Sequence, residues 1–383
     1  MSSPLPSLKW CTDDHGARSH VVDAVNWGAD TFMMPVFFLM GGFLACQSCR
    51  KIGPGAFLRQ KSVRLGIPLV IAAFVIMPAV LYIWLFGWMC AGELTPQQLT
   101  RLKLTSPQWT QLRCAGHLWF LIDLWLFCLA AAAAVTARNL IASMRSRREP
   151  ATLPLPSAKS SRWSPGRLAV VAGLFAISVY GLYCEPRTAI GFKFLFFPRL
   201  PHVLYYSPCF LLGWLMQSWK WTPGRATPAL LLSGAALLFP GLWGMISRHV
   251  ATPFSGTELV WLVATFAACG WLAASGLFAW ALRYDGSLPR PIAYLSRASL
   301  WIYLAHVPPM ALLQISFRAI SGYGLLKAVA AGTLSLIYVL VVYEFAIRGQ
   351  RLDALLNGCA PKPASTPVPG EAAEPEATRK SAA

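Results

Sequence analysis

Histidines set against apolar surroundings are the first candidates for chemistry in this sequence. His117 stands in Gly116-His117-Leu118-Trp119-Phe120-Leu121, where a polar connection gives way to an apolar run. An imidazole at such a boundary stays hydrated enough to take a proton and close enough to the protein to be oriented, which suits a general base. The plain structural alternative is an interfacial histidine beside an aromatic belt of Trp119 and Trp125. Asp123 lies deeper in the same run, where a carboxylate is costly and is a functional candidate by default. Six helical residues turn through roughly 600°, so His117 and Asp123 fall on different faces and no direct pair between them is expected. His306 is followed at once by Val307-Pro308-Pro309. Prolines free backbone carbonyls and bend a helix, which is tolerated beside a protein-lined cavity; a histidine that only hydrogen-bonds such a carbonyl is the structural alternative. His202 opens another run in Pro198-Arg199-Leu200-Pro201-His202, where Arg199 and His202 are placed to meet a polar outer substrate or to sit among headgroups.

A second kind of chemistry is offered by fixed cations. Arg59, Lys61 and Arg64 stand within two helical turns, and Lys61 and Arg64, three residues apart, face the same way on an α-helix. Paired cations on the inner face suit the phosphates of a cytoplasmic donor such as coenzyme A, because Arg and Lys hold phosphate by charge-assisted hydrogen bonds. Positive-inside anchoring or contact with anionic lipid explains the same charges. Cys46 and Cys49 form a CxxC without a second cysteine pair or a nearby histidine, so no metal site is assigned there. Cys90 and Cys114 are a possible disulfide on the outer face.

The elements that must position these residues are membrane spans. The chain has 383 residues, 56% hydrophobic and 13% charged, with mean hydropathy +0.51; soluble domains carry about 25% charged residues. An ordinary cytosolic enzyme is excluded. Apolar runs long enough to cross a hydrocarbon core of about 30 Å predict an all-α, polytopic transmembrane bundle. Nine spans are predicted, at about 31–46, 65–88, 117–137, 167–184, 203–219, 227–246, 258–282, 293–315 and 322–347. Residues 1–30 form a polar N-terminal segment, 31–347 the transmembrane domain and 348–383 a disordered tail rich in Pro, Ala and Glu. Residues 138–166, rich in Arg, Ser and Pro, read as a flexible loop.

The formal net charge of +18 is dispersed between apolar runs, so it orients the protein in a bilayer and points to no nucleic acid. Lys and Arg favour one set of connections by about two to one, which places the C-terminus in the cytoplasm. With nine spans the N-terminus is then periplasmic, although residues 1–30 carry no signal-peptide h-region.

In order and spacing, several blocks resemble the integral membrane acyltransferase family 3, which includes O-antigen acetylases and glucans biosynthesis protein C. They are Phe32-Met33-Met34-Pro35-Val36-Phe37-Phe38-Leu39-Met40-Gly41-Gly42-Phe43, Lys61-Ser62-Val63-Arg64-Leu65-Gly66-Ile67-Pro68, Gly116 to Leu121, Phe210-Leu211-Leu212-Gly213-Trp214, and Tyr294 to His306. The resemblance implies a bundle of about ten helices in a bacterial inner membrane. It also implies transfer of an acetyl or succinyl group from cytoplasmic acetyl-CoA or succinyl-CoA, without a metal, to a hydroxyl of a periplasmic or cell-surface glycan. By position it assigns Lys61 and Arg64, with Arg59 in support, to the acyl-CoA entrance. His117 with Trp119 matches the family's HxW-type motif.

Lys61 stands where the family carries Arg, which keeps charge and loses the bidentate fork. Family members also begin with a helix bearing an Arg and a proposed catalytic His, which has no counterpart here, so a helix preceding Met1 is expected. The rival functions are a transporter or flippase for a glycan or lipid-linked sugar, and an inactive truncated family member.

Overall fold

A computed structural model describes residues 20–95, 97, 116–146, 164–190, 198–320 and 322–357. Among them the secondary structure is helical throughout. The α-helices are α1 (His20–Ile52), α2 (Pro54–Lys61), α3 (Ile67–Cys90), α4 (Trp119–Ser146), α5 (Pro165–Cys184), α6 (Leu200–Ser218), α7 (Thr227–Ala251), α8 (Gly256–Leu282), α9 (Arg290–Ala305), α10 (Val307–Phe317), α11 (Gly324–Val342) and α12 (Arg351–Asn357). Ser62–Gly66 and Tyr343–Ile347 are π-helical turns, and Gly116–Leu118 is a 3-10 turn leading into α4.

Among the described residues seven helical segments are long and apolar enough to cross a membrane, or eight with the bent pair α9–α10 counted as one. The remaining expected span, 203–219, appears as α6, which has the length but not the uniform apolarity. Its His202, Tyr205, Tyr206, Pro208 and Cys209 are all buried against neighbouring helices, so protein rather than lipid solvates them. Other boundaries move as well. The helix expected from residue 31 begins at His20, taking up part of the expected polar segment. Residues 138–146 of the expected loop continue α4, and Ser164 caps α5 by accepting from the Arg167 N–H at 3.3 Å. The expected disordered tail contains α12.

Among the described residues two large apolar clusters make up most of the core, beside a small third around Trp88, Leu94 and Ile315. One joins α1, α4, α5, α6, α7 and α8 through Phe38, Phe127, Tyr206, Phe210 and Phe266. The other joins the start of α4 to α3, α9, α11 and α12 through Leu118, Leu121, Ala298, Leu304 and Leu356. The Gly116–Leu118 turn lies at the seam between them, with Leu118 packed in the second cluster and Trp119 in the first.

Helix α1 is the central strut, and glycine lets it approach its neighbours. A Cβ at Gly42 would lie 1.9 Å from the Phe210 carbonyl oxygen on α6, and one at Gly213 would lie 1.9 Å from that of Leu39. The obstacle in both cases is backbone, which cannot rotate aside, so small residues at this crossing are a packing requirement. Gly42→Ala is expected to destabilise the bundle by about 3 kcal/mol, read as a lower unfolding temperature in detergent.

Candidate active site

His117 is held by a carbonyl that proline sets free. In an uninterrupted helix the Leu304 carbonyl would accept the N–H of residue 308, but Pro308 has none. The vacancy is filled by His117, whose Nε2 lies 3.1 Å from Leu304 O. A carbonyl only accepts, so Nε2 carries the proton and Nδ1 presents a lone pair. On the other side of the turn, the Tyr303 hydroxyl donates to the His117 carbonyl. The break between α9 and α10, where the two axes differ by 62°, is therefore the socket for this histidine.

His306 occupies the break itself. Its Nδ1 lies 2.8 Å from the Tyr303 carbonyl and 3.1 Å from that of Ile302, so Nδ1 is its protonated nitrogen and Nε2 its base. The Ser335 hydroxyl donates to the His306 carbonyl at 3.0 Å and fastens the bend to α11. The His117 and His306 rings stand edge to face with centroids 5.5 Å apart. Two imidazoles, each with one nitrogen tied to backbone and the other not, can take up and pass on a proton.

Asp123 finds a different partner. Its Oδ2 lies 3.0 Å from Nδ1 of His202, and both residues are buried. The approach is close without being an aligned hydrogen bond. The His202 ring meets Trp119 edge to face at 4.8 Å and Tyr206 at 4.7 Å. Trp119 and His202, expected to meet an outer substrate or line an interface, are instead enclosed where α4 crosses α6. Carboxylate, imidazole and aromatic rings fill this crossing because a buried charge is tolerated only with a close partner. Arg199, three residues before His202, remains exposed and pairs with Glu185 at 2.9 Å. The two residues grouped by sequence thus serve different places.

The basic segment folds against the same helix about two turns further along. The indole N–H of Trp125 donates to the Ser62 hydroxyl at 3.1 Å, so Trp125 is an internal contact rather than a belt anchor. Lys61 is half-buried with Nζ 5.8 Å from the Phe57 ring, while Arg64 is exposed and directs Nε to the Leu356 carbonyl at 3.3 Å. Lys61 and Arg64 therefore do not share a face as expected. The π-helical turn between them advances fewer degrees per residue than an α-helix and separates their directions. Arg59 is exposed on α2. Trp125 lies eight residues beyond His117, so the basic segment and the histidine pair are separated by roughly 12 Å along the α4 axis.

Tyr303, Ser335, Ser62 and Asp353 were not singled out in the sequence, although Tyr303 stands within the Tyr294–His306 block. Cys46 and Cys49 are both buried, Cys46 Sγ lying 3.4 Å from the Ser218 hydroxyl. Of the possible Cys90–Cys114 pair, Cys114 lies outside the described residues.

The socket makes a test available. Pro308→Ala returns an N–H to Leu304 O, which then competes with His117. Turnover is expected to fall about tenfold with the substrate KM unchanged, measured by steady-state kinetics.

Residues 12–344 match the family model described as an acyltransferase domain, acyltransferase family 3. No curated protein and no solved structure shows a match to the chain.

Proposed function

The chain belongs to acyltransferase family 3, and on that premise we propose that it is a multi-pass O-acyltransferase of a bacterial inner membrane, with its C-terminus in the cytoplasm. The donor is acetyl-CoA or succinyl-CoA on the cytoplasmic side, and the acceptor is a hydroxyl of a periplasmic or cell-surface glycan. The observation that carries this reading is His117. Its Nε2 is bonded to a carbonyl that Pro308 leaves without a helical donor, and its Nδ1 is free to act as a base beside His306.

In this reading Arg59, Lys61 and Arg64 hold the phosphates of the donor, and the thioester extends along α4 toward the histidines. Nδ1 of His117 takes the proton of the sugar hydroxyl as the oxygen attacks the thioester carbonyl. The C–O bond forms, the C–S bond breaks, and the proton passes back to the departing thiolate, directly or by way of His306. Asp123 and His202 hold α4 and α6 in register, so that Trp119 and the turn carrying His117 are fixed from behind. Arg199, which is exposed beside Glu185, meets the glycan in this reading. The apolar walls keep water from hydrolysing the thioester.

The test is to incubate membranes holding the protein with labelled acetyl-CoA and, separately, succinyl-CoA, then to measure alkali-labile label in the glycan fraction. Label from one of the donors is expected. Glycan that crosses the membrane without a new ester would contradict the reading and favour transport.

A further inference from the structure

Two exposed guanidiniums from distant parts of the sequence converge on the short helix α12. Arg297, on α9, points Nη2 at Asp353 Oδ2, 3.4 Å away, and Arg64, in the first π-helical turn, points Nε at the Leu356 carbonyl, 3.3 Å away. Both acceptors belong to α12 and are three residues apart, so the two cations are anchored within roughly 5 Å of axial rise.

The anchor is rigid. Asp353 is only 5% exposed, and its carboxylate also accepts the Tyr343 hydroxyl at 3.0 Å and the Gly349 N–H at 3.1 Å. Leu356 is 2% exposed within the second core cluster. Each arginine thus commits one nitrogen to α12, and among the described residues neither shows a further hydrogen bond. Both side chains are otherwise exposed, so each guanidinium keeps N–H groups open to a ligand. That is the arrangement that takes a phosphate or pyrophosphate, because a guanidinium offers paired donors that fit phosphate oxygens.

We propose that Arg297 and Arg64, assembled on α12, form one phosphate-binding site for the nucleotide end of the acyl-CoA donor, with Asp353 as the residue that positions Arg297. The proposal rests on the donor reading given above and adds to it a cation from α9 and a helix from the tail. The acyl and pantetheine portions, which carry no phosphate, lie beyond this site, toward α4. Only the phosphates sense the two arginines.

Equilibrium binding to the full chain in phosphatidylcholine nanodiscs tests this, with CoA and pantetheine as the probes. Arg297→Gln is expected to weaken CoA at least tenfold and to change pantetheine less than twofold, while Arg297→Lys, which keeps charge and the contact with Asp353, recovers part of the loss. Asp353→Ala is expected to weaken CoA several-fold and Asp353→Glu to restore it in part; equal losses for CoA and pantetheine would mark a merely structural role and overturn the proposal. Wild-type affinity for CoA in Arg297→Gln would also overturn it. So would a loss confined to phosphatidylglycerol added to the nanodiscs, because the phosphate would then be that of a lipid. Absence of CoA binding by the wild-type chain would instead remove the donor reading itself, so the two failures are distinguishable.

Discussion

A His117→Ala variant is expected to lose acyl transfer by a factor of about 10²–10⁴, the range that a positioned proton acceptor contributes. The truncation also leaves the Leu304 carbonyl without its partner, at a cost of about 1–3 kcal/mol if the carbonyl stays buried. Loss of activity in the alanine variant alone would therefore mix two causes. His117→Gln separates them, because its side-chain amide can donate to Leu304 O yet has no basic nitrogen. It is expected to melt close to the wild-type temperature and to be as inactive as the alanine variant. An active glutamine variant would reduce His117 to a structural plug for a proline-freed carbonyl, the bland reading that its position in the sequence left open.

The second large effect is expected at the donor end. Replacing Lys61 and Arg64 together by alanine should raise KM for the acyl-CoA by about 10–100-fold while kcat changes little, since charge-assisted hydrogen bonds to remote phosphates act on binding rather than on the reacting atoms. Raised salt should narrow the difference between variant and wild type, because dissolved ions weaken the attraction between exposed cations and the phosphates. Steady-state kinetics at two ionic strengths provide the check. A fall in kcat with unchanged KM would place these cations near the chemistry and contradict the separation of roughly 12 Å along α4.

Composition alone set the architecture, because apolar runs of membrane-spanning length leave a chain little choice but helices. Span boundaries were less legible. α6 carries His202 and two buried tyrosines because protein surrounds it, and hydropathy does not distinguish a polar helix inside a bundle from a weak span. The position of His117 beside an apolar run, and of His306 before two prolines, identified both as candidates. That they meet was not visible, since 189 residues separate them and the contact depends on α9 and α10 folding back against the start of α4.

Helical geometry kept His117 and Asp123 apart, but the partner of Asp123 lies on another helix that periodicity cannot address. The expectation that Lys61 and Arg64 share a face failed for a local reason: the turn joining them is π-helical, and nothing in Ser62-Val63-Arg64-Leu65-Gly66 announces that. That residues 351–357 of the expected tail form a helix was not legible, because Asp353 and Leu356 gain their value from Arg297, Tyr343 and Arg64.

The central claim is that an acyl group passes from a donor at the Lys61–Arg64 segment to a hydroxyl at His117, through the bundle. Sealed vesicles of known orientation, with labelled acyl-CoA confined to the side of that segment and the acceptor glycan to the other, test it most directly. The account requires alkali-labile label on the glycan in the opposite compartment, reduced by about 10²–10⁴ in His117→Gln. Label that appears only when donor and acceptor share a compartment, or that survives the substitution undiminished, would contradict it.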